Sequence, residues 1–185
     1  IELNSGNGWT YTWPNLVKYK NNNEIEYTVA EVQVPGYKTP VINKVSDNEW
    51  SYTITNSITE ITVSKTDITG EEELEDAHIQ LIDNEGNIVE EWDSTTEAHE
   101  IEGLKTGVEY TLRETVAPEG YTIAADTKFV IDETGKVTSG GTVVEGGHIL
   151  IKDALTKVTV SKTDITGEEE LEDAHIQLID NEGNI

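Results

Sequence analysis

The feature that most constrains this chain is a long internal repeat without a single substitution. The stretch TVSKTDITGEEELEDAHIQLIDNEGNI occurs at 62–88 and again at 159–185. The two copies begin 97 residues apart, which is the size of one ordinary domain and too long for one turn of a solenoid. The repeating unit is therefore a domain, and the sequence predicts a tandem array of such units.

The second copy of the repeat contains only the opening of a unit, and this sets the expected domain boundaries. We predict a complete domain at 58–157, the opening part of the next domain at 158–185, and the back part of a related domain, without its first strand, at 1–57. The last assignment rests on IEYTVAEVQVPGY and WSYTITNS, which are similar to VEYTLRETVAPEGY and HILIKDAL of the complete unit. On this interpretation, the sequence is a window on a longer array.

Short alternating runs rich in Thr, Val, Ile and Tyr predict β-strands throughout the chain. Examples are ITVSKTD, EYTLRET, TKFVID and GHILIKD, and turn signals such as DNEGN, DETGK and SGG separate them. The acidic segment GEEELEDA has some helical periodicity, and we interpret it as a loop or a single short turn. The pattern as a whole predicts an all-β sandwich.

The composition argues against nucleic acid and membranes as binding partners and against disulfide bonds. Twelve Lys and Arg face 37 Asp and Glu, and the resulting net charge of −25 repels phosphate backbones and anionic lipid surfaces. We therefore expect neither nucleic acid binding nor membrane contact by this segment. The chain has no Cys, so a location outside the cell would require a covalent staple other than a disulfide.

Three charged residues lie in phase with the apolar residues of their own strands. They are Lys65 in ITVSK, Glu114 in EYTLRE and Asp153 in HILIKD. Alternate residues of a strand share a face, so all three side chains are predicted to point at the core. One such residue alone would be interpreted as a strand end that has reached solvent. Three together are harder to explain in this way and favour a cluster of charged side chains in the core.

The first part of the chain repeats this pattern with an acid and an amide. Glu31 is in phase with the apolar residues of IEYTVAE, and Asn56 is in phase with those of WSYTITN. The step from Asn56 to Lys65 is nine residues, and so is the step from Asp153 to Lys162. We predict that Asn56 and Lys162 are cross-linking residues whose partners lie outside this chain.

An amine and a carboxyl group enclosed in an apolar interior can react with each other. Burial favours the neutral forms of such groups, and a neutral amine is a nucleophile. Holding it against a carboxylic acid raises the effective concentration of the reacting pair. The expected product is an amide between Lys65 and Asp153, with Glu114 moving the protons and water as the leaving group. With Asn as the acceptor, ammonia would leave instead.

At these residues the sequence resembles the Cna B-type domains of Gram-positive surface adhesins and pilins. VSKTD, LRETVAPEGY and GGHILIKDA carry the resemblance in the complete unit, and GWTYTWPNL, IEYTVAEVQVPGY and YTITN carry it at 1–57. The resemblance implies tandem Ig-like or prealbumin-like β-sandwich domains with an isopeptide bond between a lysine of the first strand and an Asn or Asp of the last. By position, Lys65 and Asp153 take the cross-linked roles, and Glu114 and Glu31 take the role of the catalytic acid.

The function implied by the resemblance is a structural stalk of an adhesin on the cell wall surface of a Gram-positive bacterium. Its partners would be neighbouring domains of the array, with a host extracellular matrix protein bound through other domains. A pilus shaft subunit and a host-ligand-binding adhesin domain are the alternatives. No cofactor is expected, and the cross-linking step is a single turnover that consumes its own side chains, so we do not interpret the protein as an enzyme.

Two further sites are less well supported by the sequence. An acid and base pair of the glycosidase kind at Glu114 and Asp153 would need a cleft, whereas the facing lysine favours a closed core. The acidic stretches DITGEEELED and DNEGN lack the ligand spacing of a calcium loop. The histidines are scattered, and we assign them structural or surface roles rather than a metal site: His78, His99, His148 and His175.

One alternative concerns the two incomplete parts of the chain. The opening part at 158–185 carries Lys162, and the part at 1–57 carries Asn56 but lacks a first strand, so a strand donated between neighbouring chains would join them. Simple truncation of a longer array is the favoured interpretation, because the two parts resemble different branches of the family.

Overall fold

The computed structural model describes residues 1–46 and 49–185. Within these residues, regular structure is almost entirely β, and helical turns occur at Ser5–Asn7 and Glu145–Gly147. Among the described residues, no helix is long and apolar enough to span a bilayer. The strands are β1 (Tyr19–Lys20), β2 (Asn23–Glu24), β3 (Val41–Ser46), β4 (Glu49–Thr55), β5 (Glu60–Asp67), β6 (His78–Ile82), β7 (Ile88–Asp93), β8 (His99–Glu102), β9 (Glu109–Val116), β10 (Thr127–Ile131), β11 (Val137–Ser139), β12 (Thr142–Val144) and β13 (His148–Asp153). The predicted all-β fold is confirmed.

The region from β5 to β13 folds into two sheets that pack face to face. The larger sheet has the order β12-β11-β10-β9-β6-β7, and all its pairings are antiparallel. The smaller sheet has the order β13-β5-β8, in which β5 runs parallel to β13 and antiparallel to β8. The first strand of the unit therefore lies between the last strand and β8, at the centre of the smaller sheet.

The core between the sheets is built from the alternate positions of the strands. In β9 and β13 every second residue is buried, as expected for strands with one face on the core. The rings of Tyr110 and Phe129 stack at a centroid distance of 5.6 Å. The buried cluster comprises Ile61, Val63, Ala77, Ile79, Leu81, Ile101, Leu104, Tyr110, Leu112, Phe129, Ile131, Val137, Ile149 and Ile151.

The described residues among the first 57 form smaller sheets, and their apolar side chains are half-buried or exposed. β1 pairs with β2, and β3 pairs with β4, in both cases antiparallel. The extended segment 25–31 lies across β4, where the Tyr27 ring meets the Trp50 ring edge-on at 5.1 Å and Tyr52 Oη donates to the Tyr27 carbonyl oxygen. The residues of this segment that face β4 are half-buried rather than buried.

The second copy of the repeat has a different structure from the first. Residues 62–67 belong to β5, whereas the same sequence at 159–164 forms only an isolated bridge between Thr163 and Glu170. The turn after it is retained, because the Leu171 amide donates to the Lys162 carbonyl oxygen at 2.8 Å as the Leu74 amide donates to that of Lys65 at 2.7 Å. The expected strand around Lys162 is not formed, because the neighbours that supply the ladder hydrogen bonds of β5 are not paired with it.

Burial in the sandwich predicts a large difference between two isoleucines on adjacent strands. Ile79 of β6 is 1% exposed and Ile88 of β7 is 52% exposed. We expect Ile79→Ala to lower the free energy of unfolding by about 2–5 kcal/mol, because it leaves a cavity in the core. The matched control, Ile88→Ala, should change it by no more than about 0.5 kcal/mol. Denaturant titration followed by Trp fluorescence measures both, and equal destabilisation by the two variants would contradict the described core.

Candidate functional site

The parallel pairing of β5 and β13 brings Lys65 and Asp153 to the same place. Lys65 is opposite Ile151 in the register, so Asp153 lies two residues further along β13 and on the same face. That face is the one that packs on the larger sheet. Glu114, on β9 of the larger sheet, faces the pair from the other side of the sandwich.

The three side chains form a closed cluster without solvent contact. Lys65 Nζ lies 2.7 Å from Asp153 Oδ2 and 3.5 Å from Glu114 Oε1, and all three side chains are 0% exposed. The short contact lacks the angles of a hydrogen bond, since Lys65 Nζ and both carboxyl oxygens of Asp153 have no hydrogen-bond partner. At these distances the amine and the carboxyl group are in direct contact, as the two reactants of a bond-forming step must be.

Glu114 is held by the backbone of the segment that follows β9. The Ala124 amide donates to Glu114 Oε2 at 2.6 Å, which leaves Oε1 directed at Lys65. Burial raises the pKa of Glu114, although the Ala124 amide and the Lys65 amine act in the opposite direction. Glu114 is therefore more readily protonated than an ordinary glutamate, as a group that delivers a proton must be.

The cluster has the parts of an amide-forming reaction. It holds a potential nucleophile, an acceptor carboxyl group and a proton carrier within 3.5 Å of one amine. Exclusion of water strengthens the electrostatic interactions among them and prevents hydrolysis of what they form. The structure thus brings together the three residues that strand phase selected.

A small cleft beside Lys65 was not anticipated from the sequence. Its volume is about 130 Å³, and Trp92 and His99 stand in its wall. Their rings stack at 4.2 Å, and His99 Nε2 is 2.7 Å from Glu90 Oε1. Trp92 and His99 come from different sheets, so no local pattern indicates their contact.

The predicted acid and amide of the first part are also adjacent. Asn56 Nδ2 donates to Glu31 Oε1 at 3.2 Å, and Glu31 Oε2 is buried without a hydrogen-bond partner. Asn56 itself is exposed, in contrast to Asp153. Lys162 is exposed as well, and its Nζ donates to the Thr163 carbonyl oxygen at 3.1 Å. The pair at 1–57 thus has the right residues in an open site.

The metal-binding potential of the other ionisable side chains is judged on the described part of the chain. Among the residues that the structure describes, no group of three or more His, Asp or Glu side chains has the geometry to hold a metal ion. His78 instead pairs with Asp93 at 2.7 Å across β6 and β7.

Comparison with protein families gives a match over most of the chain. Residues 59–142 match the model described as the SpaA prealbumin-like fold domain, and residues 1–57 match the model of the Cna protein B-type domain. Among curated proteins, none matches the chain significantly.

Several of the solved structures to which the chain is similar are pilus proteins. The C-terminal fragment of the pilus adhesin SpaC from Lactobacillus rhamnosus GG is 20% identical over 66% of this chain and 56% of its own, with a TM-score of 0.43. The pilus 2b backbone protein of group B streptococcus is 18% identical over 69% and 53%, with a TM-score of 0.43. The major pilin subunit BcpA of Bacillus cereus is 21% identical over 51% and 28%, with a TM-score of 0.38.

The chain spans 56% of the SpaC fragment and less of the other two chains.

The buried cluster predicts an unusual dependence of stability on pH when its amine is removed. In Lys65→Met the opposing influence of the amine is lost, so the pKa of Glu114 should rise further above its usual value of 4.5. The folded protein then binds this proton more tightly than the unfolded chain. The free energy of unfolding should therefore be highest below about pH 4.5 and fall as the pH rises through the folded pKa.

Urea titrations of Lys65→Met between about pH 4 and pH 8 measure this dependence. The control is Lys65→Met/Glu114→Gln, which keeps an acceptor for the Ala124 amide but cannot titrate at this position. The single variant should lose more stability than the control over this range. Identical pH dependence of the two proteins would contradict the burial of Glu114.

Proposed function

Since this chain belongs to the family of SpaA prealbumin-like and Cna B-type domains, we propose that it is a stalk region of a Gram-positive cell-surface protein, stiffened by spontaneous isopeptide bonds. The observation that carries the proposal is the contact of 2.7 Å between the Lys65 amine and the Asp153 carboxyl group, in a solvent-free core beside Glu114. The parent protein would lie outside the cell, on the wall surface. Because this chain has no cysteine, an isopeptide bond would take the place of a disulfide bond there.

The proposed reaction joins Lys65 Nζ to Asp153 Cγ. The neutral amine attacks the carboxyl carbon, the Nζ–Cγ bond forms, and the bond from Cγ to its hydroxyl oxygen breaks. Glu114 gives a proton to the leaving oxygen and takes one from Nζ, so that one water leaves and Glu114 returns to its initial state. The raised pKa of Glu114 supports this role. The step consumes Lys65 and Asp153 and occurs once, so the protein is not an enzyme.

The bond would close a loop that includes almost the whole sandwich. Lys65 and Asp153 are 88 residues apart in sequence and lie on adjacent strands. By the loop-entropy relation used for disulfides, closing such a loop stabilises the fold by roughly 4–5 kcal/mol. Tension applied along the array would pass through the new bond instead of the strands between its ends, as a stalk requires.

The same chemistry is proposed for Asn56 and Lys162, with partners outside this chain. Glu31 is in contact with Asn56 and retains a buried oxygen without a hydrogen-bond partner, so it has free capacity toward an incoming amine. A lysine that reached Asn56 would displace ammonia. Nine residues then separate successive bonds along the array, from Asn56 to Lys65 and from Asp153 to Lys162.

The inward direction of the cluster favours a stalk over the other candidates. A host-binding domain or a glycosidase would present its polar residues at the surface or in an open cleft, whereas these three are sealed in the core. A pilus shaft subunit would use the same cross-link, and it differs from a stalk in how whole subunits are joined. Neighbouring domains of the array are the proposed partners.

The cross-link predicts a change in the mass of the intact protein. Under denaturing conditions the chain should be lighter by one water than its sequence requires. Lys65→Ala and Glu114→Ala should each show the full mass calculated for their sequences, because one lacks the nucleophile and the other the proton carrier. Lys152→Ala, which removes the exposed lysine next to Asp153, is the control and should still lack one water. Full calculated mass for the unaltered chain would refute the cross-link.

The cross-link also predicts how the protein responds to force. Single-molecule pulling should show no extension of the segment between Lys65 and Asp153 in the unaltered chain. In Lys65→Ala that segment should extend in a step of about 300 Å, the length of 88 stretched residues. Lys152→Ala serves again as the control and should give no such step. A step of this size in the unaltered chain would show that the load does not bypass the sandwich.

A further inference from the structure

The junction between residues 1–57 and the complete unit is a closely packed contact, which we call the first joint. It joins the turn and strand start at 36–39 to the linker at 57–59 and to two loops of the unit. The Lys38 amide donates to the Ser57 carbonyl oxygen at 2.8 Å, and the Thr59 amide donates to that of Gly36 at 3.0 Å. The Thr39 amide donates to the Glu133 carbonyl oxygen at 2.6 Å.

The centre of the first joint leaves no room for additional atoms. Gly36 is buried with a φ of +82°, and a Cβ placed on it would lie 2.6 Å from the Gly103 carbonyl oxygen. Thr59 is fully buried, and its hydroxyl donates to the Leu104 carbonyl oxygen at 2.7 Å. The turn of the first part therefore presses directly on the 103–104 loop of the unit.

The far end of the unit carries the same arrangement, which we call the second joint, at 120–123 and 154–156. The Thr122 amide donates to the Ala154 carbonyl oxygen at 2.9 Å, and the Thr156 amide donates to that of Gly120 at 2.8 Å. Tyr121 bridges to Leu155 as Tyr37 bridges to Ile58 in the first joint. The turns also correspond, since Gly120, like Gly36, has a positive φ, of +85°. In each turn the amide of the Tyr after this glycine donates to the carbonyl oxygen of the residue three positions before that Tyr.

The outer side of the second joint is uncovered. No atom lies within 4 Å of a Cβ placed on Gly120, and Thr156 is exposed although its counterpart Thr59 is buried. Ile123 and Leu155 are 58% and 54% exposed. An apolar patch with a preformed turn is thus present at one end of the unit, and its counterpart at the other end is in contact with a folded unit.

We propose that the surface formed by 120–123 and 155–156 binds a second unit of the same kind as the complete unit at 58–157, through the loops of that second unit that correspond to Gly103 and Glu133. Two observations identify this occupant. At the first joint the turn that corresponds to 120–123 contacts such a unit, because the Thr39 amide donates to the Glu133 carbonyl oxygen. The chain that leaves the second joint also has the sequence with which the unit begins, since 159–185 repeats 62–88.

The charges at the two joints are compatible with this assignment. In the first joint Lys38 lies beside Glu60 and the 135–136 segment of the unit, in a shared cleft that also includes Glu145. The second joint has Thr122 at the position of Lys38 and Lys157 at the position of Glu60. One lysine is therefore present at each joint, and the cleft of the following unit supplies both Glu145 and Lys136 opposite it.

The consequence is an array in which successive units meet at a fixed angle. Each unit would be held at its start by the turn of the preceding unit, so that the short linkers do not act as hinges. This rests on hydrogen bonds and packing and is independent of the proposed isopeptide bonds. It accounts for stiffness between units, whereas the cross-link accounts for resistance within a unit.

A cysteine pair tests the second joint in a lengthened protein. Joining a second copy of residues 89–157 to Ile185 gives two complete units, since 159–185 is identical to 62–88. The reference pair, Thr39→Cys with Glu133→Cys, reports the first joint. The test pair, Ile123→Cys with Glu133→Cys in the added copy, reports the second. The chain has no other cysteine, and disulfide formation in a glutathione buffer is followed on non-reducing gels.

The test pair should oxidise within about ten-fold of the rate of the reference pair, because both joints hold their backbones at the same distance. Gly120→Asn should slow it by about ten-fold or more, since Asn accepts the left-handed φ but its side chain would meet the docked loop. Gly86→Asn, at a turn with a φ of +88° and open space around it, is the matched control and should leave the rate unchanged. A slow test pair, or one that Gly120→Asn leaves unaffected, would overturn the proposal.

Discussion

The buried contact between the Lys65 amine and the Asp153 carboxyl group is the interaction on which the rest of this structure depends. An amine and two carboxyl groups in a dry core are costly to bury, and the sandwich is arranged to hold them. The parallel pairing of β5 with β13 sets the distance between the reacting groups, and β9 brings Glu114 to them. Conversion of the pair to an amide would remove two of the three buried ionisable groups and join the first strand to the last by a covalent bond.

Much of this site could be predicted because strand alternation is a local property. The phase of ITVSK, EYTLRE and HILIKD relative to their apolar residues was sufficient to predict that Lys65, Glu114 and Asp153 face the core, and all three are buried. The amide of Ala124 and the stacked rings of Trp92 and His99 were not predicted. They reach the site through a loop and through the packing of two sheets, which no short sequence pattern encodes.

The repeat itself shows where local sequence stops deciding structure. The residues of TVSKTD lie in β5 when β13 and β8 pair with them, and the second copy keeps only its following turn. The hydrogen bonds of the turn join residues that are close in the chain, whereas a strand needs partners that are distant in the chain. For the same reason Asn56 and Lys162 carry the predicted chemistry in open surroundings. At the two joints, the backbone hydrogen bonds between turn and linker are likewise repeated even where the side chains differ.

The proposed covalent bond between Lys65 and Asp153 can be tested by a crystal structure of the chain at a resolution that separates bonded from non-bonded atoms. We expect continuous, planar electron density between Lys65 Nζ and Asp153 Cγ, with Glu114 adjacent to the new amide. Separate side chains at a non-bonded distance in a fully folded domain would contradict it.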